Sequence, residues 1–115
     1  MTDKIASRGI LELASVAGRT VVTRARAGNP QKLLLPRPRE RAAWVYTSSF
    51  GGGLVAGDEV ALDVKVGPGA SCVLTTQSST KVYRCPEGKV CRQDLRATVA
   101  RDGFLVLAPD PVICF

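Results

Sequence analysis

Residues 60–66, VALDVKV, alternate. Val60, Leu62, Val64 and Val66 fall on one side and Ala61, Asp63 and Lys65 on the other, which is the period of a half-buried β-strand. The next four residues, Gly67-Pro68-Gly69-Ala70, carry turn chemistry, because glycine reaches positive φ and proline fixes its own φ. Beyond them, Ser71–Gln77 (SCVLTTQ) is rich in β-branched residues and reads as a returning strand.

The same logic extends in both directions. Asp94–Ala100 alternates, Arg101-Asp102-Gly103 contains the Asp-Gly signal of a short hairpin, and Phe104–Leu107 returns. Upstream, Ile10–Ala14, Thr20–Ala27, Lys32–Leu35 and Trp44–Thr47 are short apolar or β-branched pieces separated by glycine, proline and arginine. Strands at this spacing imply an all-β or nearly all-β sandwich, barrel or solenoid. No segment keeps a helical period for three turns, although Arg39–Ala43 has room for one helical turn. The last residues, Val112–Phe115, begin an apolar strand that stops at once, as expected of a docked edge or of a sheet continued elsewhere.

Composition narrows the class. The chain has 115 residues, 45% hydrophobic and 23% charged, which fits one soluble domain spanning 1–115. No apolar run approaches the ~20 residues of a membrane-spanning helix, and the N-terminus lacks the apolar core of a secretory signal, so a cytoplasmic location is expected. The net charge of +6 is uneven: residues 1–57 hold 9 Lys/Arg and 3 Asp/Glu, whereas residues 58–115 hold 7 of each. The densest basic segment, Pro36–Arg41, admits a nucleic-acid reading, but no aromatic residue is interleaved with it. An acidic protein partner suits it equally.

Histidine is absent, which removes histidine-based triads, histidine general bases and the commonest transition-metal ligand. Of the four cysteines, only Cys85 and Cys91 are close in sequence, and their spacing is not that of a paired structural zinc knuckle. A thiol-based zinc protein is therefore an alternative and not the first reading. Gly52 and Gly57 have the spacing of a phosphate-binding loop, but Asp58 and Glu59 stand where lysine and a hydroxyl residue belong, and a strand follows instead of a helix. A nucleotide site is excluded on those grounds. Asp58 and Asp110 are candidates for a carboxylate pair, although acids beside glycine and proline more often shape turns. Asp58, Glu59 and Asp63 with a thiol such as Cys72 make up a ligand set suited to weak, transient Ni²⁺ or Zn²⁺ binding.

The order of motifs from Phe50 onward resembles the urease accessory protein D family, UreD, also called UreH. The pieces are GGGLVAGD at 51–58, LDVKVGPGA at 62–70, LTTQSSTKVYR at 74–84 and APDPVICF at 108–115. The resemblance implies an elongated, β-helix-like stack of strands with a few helices, of which this chain is an N-terminal portion. It implies a scaffolding chaperone for nickel insertion into apo-urease, not an enzyme. It implies UreF-like and UreG-like accessory partners and apo-urease, with neither nucleic acid nor membrane. No tightly bound cofactor is implied, only transient Ni²⁺ moving through an internal tunnel.

Carried onto this sequence, the family signature falls on Gly52, Gly53, Gly57, Thr75, Thr76, Gln77, Thr80, Lys81, Tyr83, Pro109, Asp110 and Pro111. A structural role is expected for most of these, with Asp58 assigned to the nickel path. Family members run to more than twice this length. A solenoid interrupted at Val112–Phe115 exposes an unpaired edge, so self-association of the isolated chain is expected.

Overall fold

The computed structural model describes residues 8–28, 30–38, 40–49, 53–55, 57–84 and 88–114. Its regular structure is β: β1 Gly9–Val16, β2 Arg19–Arg26, β3 Gln31–Leu34, β4 Ala43–Ser49, β5 Glu59–Val66, β6 Ser71–Thr76, β7 Thr80–Val82, β8 Arg92–Val99, β9 Phe104–Ala108 and β10 Val112–Cys114. The strands expected from alternation are present, with no end moved by more than two residues. The short β7, too brief to show a period, is the one not anticipated. Of the span Arg39–Ala43, which had room for one helical turn, Arg39 lies outside the described residues, and the rest is not helical: Glu40–Ala42 bend and Ala43 already begins β4, because Ala43 and Val45 are needed in the core.

Among the described residues three sheets are built, ordered β2-β1-β5-β8, β3-β4-β6-β9 and β10-β7. Consecutive strands β5, β6 and β7 lie in three different sheets, and β8, β9 and β10 repeat that circuit one position further along. Every contact between these successive circuits is parallel: β5 with β8, β6 with β9, β7 with β10. This is a coiled solenoid. Glu59 pairs with Arg92 and Thr75 with Ala108, so one coil takes 33 residues in the first two sheets. The first coil holds β1, β4 and Leu54, the last bridging in parallel to Val82. Strands β2 and β3 are an excursion between β1 and β4, each adding antiparallel to one sheet.

The hairpins expected at Gly67–Ala70 and Arg101–Gly103 are therefore corrected. Each is a corner that carries the chain from the first sheet to the second. In both, the amide of the fourth residue donates to the carbonyl of the first, Ala70 to Gly67 at 3.1 Å and Gly103 to Ala100 at 2.9 Å. The third residue of each is left-handed, Gly69 at φ 71° and Asp102 at φ 60°, as a type II turn requires. A local turn signal cannot distinguish a hairpin from such a corner. The deciding term is burial, since strands in facing sheets can enclose a core that two hairpins side by side leave open.

The core lies between the first two sheets. Leu11 and Leu13 from β1 with Leu62, Val64 and Val66 from β5 meet Ala43 and Val45 from β4 and Cys72 and Leu74 from β6, all nearly fully buried. These are the inner positions of the alternation, including three of the four that opened the sequence reading. At roughly 1.5–3 kcal/mol for each large aliphatic side chain fully buried, this column dominates the favourable side of folding. On the outer face of the first sheet, Arg8 clasps two coils. Its Nη2 donates to Asp63 Oδ1 at 2.6 Å and its Nη1 to Asp94 Oδ2 at 2.8 Å.

Candidate functional site

The glycine-rich bend is built by close approach. Leu54 N–H donates to the Lys81 carbonyl at 2.8 Å and Tyr83 N–H to the Leu54 carbonyl at 2.9 Å, so the bend stacks on β7 as an extra rung. A Cβ on Gly53 would lie 2.6 Å from the Tyr83 ring and 2.8 Å from the Lys81 carbonyl. Gly53 thus meets Lys81 and Tyr83, two signature residues distant from it in sequence. Gly57 sits at φ 83°, the third position of a turn closed by Asp58 N–H donating to the Val55 carbonyl at 3.0 Å. The Asp58 carboxylate accepts Val55 N–H at 2.8 Å, and its carbonyl accepts Arg92 N–H from the next coil. Asp58 shapes the bend and ties it to β8. Gly52 lies outside the described residues.

The ligand set weighed in the sequence is not assembled. Asp63 is on the outer face bound to Arg8, whereas Cys72 is wholly buried between the sheets. Burial pushes the Cys72 thiol up from 9.0 to about 11, because a thiolate there would be stripped of water. Among the described residues no group of three or more His, Cys, Asp or Glu could hold a metal ion. Cys91 is engaged differently, its thiol directed at the Val55 carbonyl at 3.0 Å.

The other signature residues meet at the corner between the second and third sheets. Thr75 Oγ1 donates to the Ala108 carbonyl at 2.7 Å, and Thr76 Oγ1 accepts Asp110 N–H at 2.9 Å. Gln77 N–H donates to the Thr47 carbonyl at 2.9 Å. Pro109, Asp110 and Pro111 make the exposed link from β9 to β10, and they stand there as Thr76-to-Thr80 does one coil earlier. Each threonine hydroxyl or carbonyl therefore links one coil to another.

Behind that corner the interior changes character. Along β4 the inner positions run Ala43, Val45, Thr47, and along β6 they run Cys72, Leu74, Thr76, so the core turns polar at the same level in both coils. Two cavities open there. One of about 330 Å³ is lined by residues including Gln31, Thr47, Ser49, Thr80 and Gln93, and one of about 270 Å³ by Gln31, Thr47, Thr76, Thr80, Gln93 and Asp110. Gln31, Thr47, Thr80 and Gln93 line both, so the cavities adjoin along the stacking direction of the coils. The first is mostly polar, its lining chiefly neutral oxygen and amide, which are hard donors without fixed charge, whereas Leu74, Leu95, Leu107, Pro109 and Val112 make the second mostly apolar. Gln31 is 9% exposed, and its Oε1 has no hydrogen-bond partner among the described residues.

Thr76, Thr80 and Asp110 were singled out in the sequence. Gln31, Thr47 and Gln93 were not, although the 33-residue coil places Gln93 opposite Val60, a polar residue in an otherwise apolar column. A separate outer groove brings Arg37 beside Trp44 and Tyr46, with Glu40 in the same lining. No aromatic residue is interleaved with the basic segment in sequence, and the two rings come from strand β4, outside it.

The comparisons with known proteins concern the whole chain. Residues 7–115 match the family model described as UreD urease accessory protein. A urease accessory protein UreD from Sorangium cellulosum (strain So ce56) is 54% identical over 110 residues, which are 96% of this chain and 35% of the relative. A urease accessory protein D from Oryza sativa subsp. indica is 42% identical over 119 residues, covering 100% of this chain and 39% of the relative. One from Arabidopsis thaliana is 39% identical over 111 residues, covering 93% and 38%. The chain thus spans little more than a third of the length of the curated relatives it matches.

Proposed function

The chain belongs to the UreD urease accessory protein family, and from that premise we propose that it takes part in urease maturation as a scaffolding chaperone for nickel insertion into apo-urease. The match of residues 7–115 carries this reading, and the relatives' names describe accessory proteins and not enzymes. Its partners are UreF-like and UreG-like accessory proteins and apo-urease, and the cytoplasm is where it meets them. No helix of the described residues is long and apolar enough to cross a membrane.

The polar interior at Thr47, Thr76, Thr80 and Gln93 supports a part in nickel passage. Nickel is the cargo there, and a carrier path needs donors that slow an ion without capturing it. Asp58 fits this path less well than the notion of a metal-handling acid suggests, since one of its oxygens already serves the bend. The protein should co-purify with UreF-like and UreG-like partners and apo-urease, and its presence should raise nickel-dependent activation of the apo-enzyme. Failure to co-purify, together with unchanged activation, would remove the reading.

A further inference from the structure

The outer face of the second sheet carries a groove that the maturation reading does not use. Successive outward positions of β4 hold Trp44 and Tyr46, about 7 Å apart along the strand, while Ala43 and Val45 between them fill the core. Pro36, Arg37 and Pro38, from the connection of β3 to β4, line a cavity of about 380 Å³ together with the two rings. A second, more open depression of about 540 Å³ continues from it, since Pro36 and Tyr46 line both, and Leu34 and Leu35 extend its apolar wall. The connection is tied down: the Arg41 carbonyl accepts Thr20 N–H from β2 at 2.8 Å, and each proline fixes its own φ. The groove is therefore preformed, yet Trp44 is left 43% and Leu35 46% exposed.

Its shape and charge specify an occupant. Two joined depressions are too long for one side chain and suit an extended segment. Rings standing side by side between prolines accept a polyproline II segment, whose own rings pack on aromatic faces and which loses little entropy on docking. Residues 36–41 hold three arginines and one glutamate, a net +2, within a half of the chain that carries +6. Arg37 is exposed and forms no ion pair among the described residues, so an acidic flank complements it. It is also the one cation among the described residues of the two depressions, and Glu40 shares the first. A nucleic-acid strand, anionic along its whole length, needs a row of cations that this groove lacks.

We infer that this groove docks an extended, proline-containing segment of a partner protein, with its acidic residues on the Arg37 side. The inference goes beyond the maturation reading and does not depend on it. The groove lies at the β3–β4 end of its sheet, away from the open edge of β9, so self-association at that edge leaves it accessible.

Trp44 is the only tryptophan of the chain, so its emission reports on the groove directly. The probe is a short synthetic peptide with a proline-rich centre flanked by aspartate and glutamate, titrated into the full 115-residue chain. It should shift the Trp44 emission saturably. Peptides with glycine in place of proline, or lysine in place of the acids, should each bind about tenfold more weakly. Arg37→Glu should weaken binding of the acidic peptide about fivefold, and Trp44→Ala, followed by calorimetry, about thirtyfold.

The inference is overturned by the absence of a saturable emission change, by equal affinity for the glycine or lysine peptide, or by tighter binding of a single-stranded oligouridine. Unchanged affinity in Trp44→Ala overturns it as well. Should that variant fail to fold, unchanged affinity in Arg37→Glu, whose side chain is exposed, decides against it instead. A failure of urease activation bears on the maturation reading alone.

Discussion

Cys72 shows how one residue's setting decides its chemistry. Its thiol is wholly buried beside Leu74 and Val45, and burial pushes its pKa from 9.0 to about 11. Cys114 is exposed on β10. In the native state at pH 8 a thiol-specific reagent should modify Cys114 at once and leave Cys72 unmodified until the chain unfolds. Rapid modification of Cys72 would contradict the buried assignment. The sign of the pH effect follows: the native state keeps the Cys72 proton more tightly than the unfolded chain does. Its contribution is complete below about pH 9 and is lost as pH rises toward 11. Calorimetry across that window should show stability falling with pH more steeply than in Cys72→Ala. The thiol's presence was plain from the sequence, but its inertness was not, because burial depends on which sheet faces β6.

At the scale of elements, the glycine bend is the clearest case of a signature explained by packing. Gly53→Ala should be strongly destabilising, by roughly 2–4 kcal/mol, because the added methyl meets backbone as well as the Tyr83 ring. Denaturant titration measures it, and a change below about 0.5 kcal/mol, the level of a neutral surface substitution, would contradict the stacking of the bend on β7.

The strands themselves were legible, since alternation records which side chains face the core. Their connectivity was not. Gly69 and Asp102 adopt the same left-handed conformation and read locally as hairpin turns, whereas the structure uses both as corners. The information that separates these readings is the 33-residue spacing of equivalent positions, which composition and short windows do not reveal. The polar end of the interior was hidden for the same reason. Gln31, Thr47 and Gln93 look like ordinary polar strand residues until the coils are superposed.

For the whole molecule, stacking explains both stability and exposure. The inner column Leu62, Val66 and Leu74 continues into Leu95, Val99 and Leu107 of the third coil. There the residues are 37%, 44% and 50% exposed, and β8, β9 and β10 each end their sheets with an edge unpaired among the described residues. An apolar surface with open strand edges is a template for further pairing. The isolated 115-residue chain should therefore self-associate, with a light-scattering mass above 12.2 kDa. A monodisperse monomer that unfolds cooperatively would contradict this. The solenoid class came into view through the family resemblance, since alternation alone left sandwich, barrel and solenoid open.

The proposed role in maturation is tested most directly by the rate at which apo-urease gains activity on addition of Ni²⁺, with UreF-like and UreG-like partners present and this protein either supplied or omitted. The account predicts activation that depends on the protein. Activation at the same rate with and without the protein would contradict it.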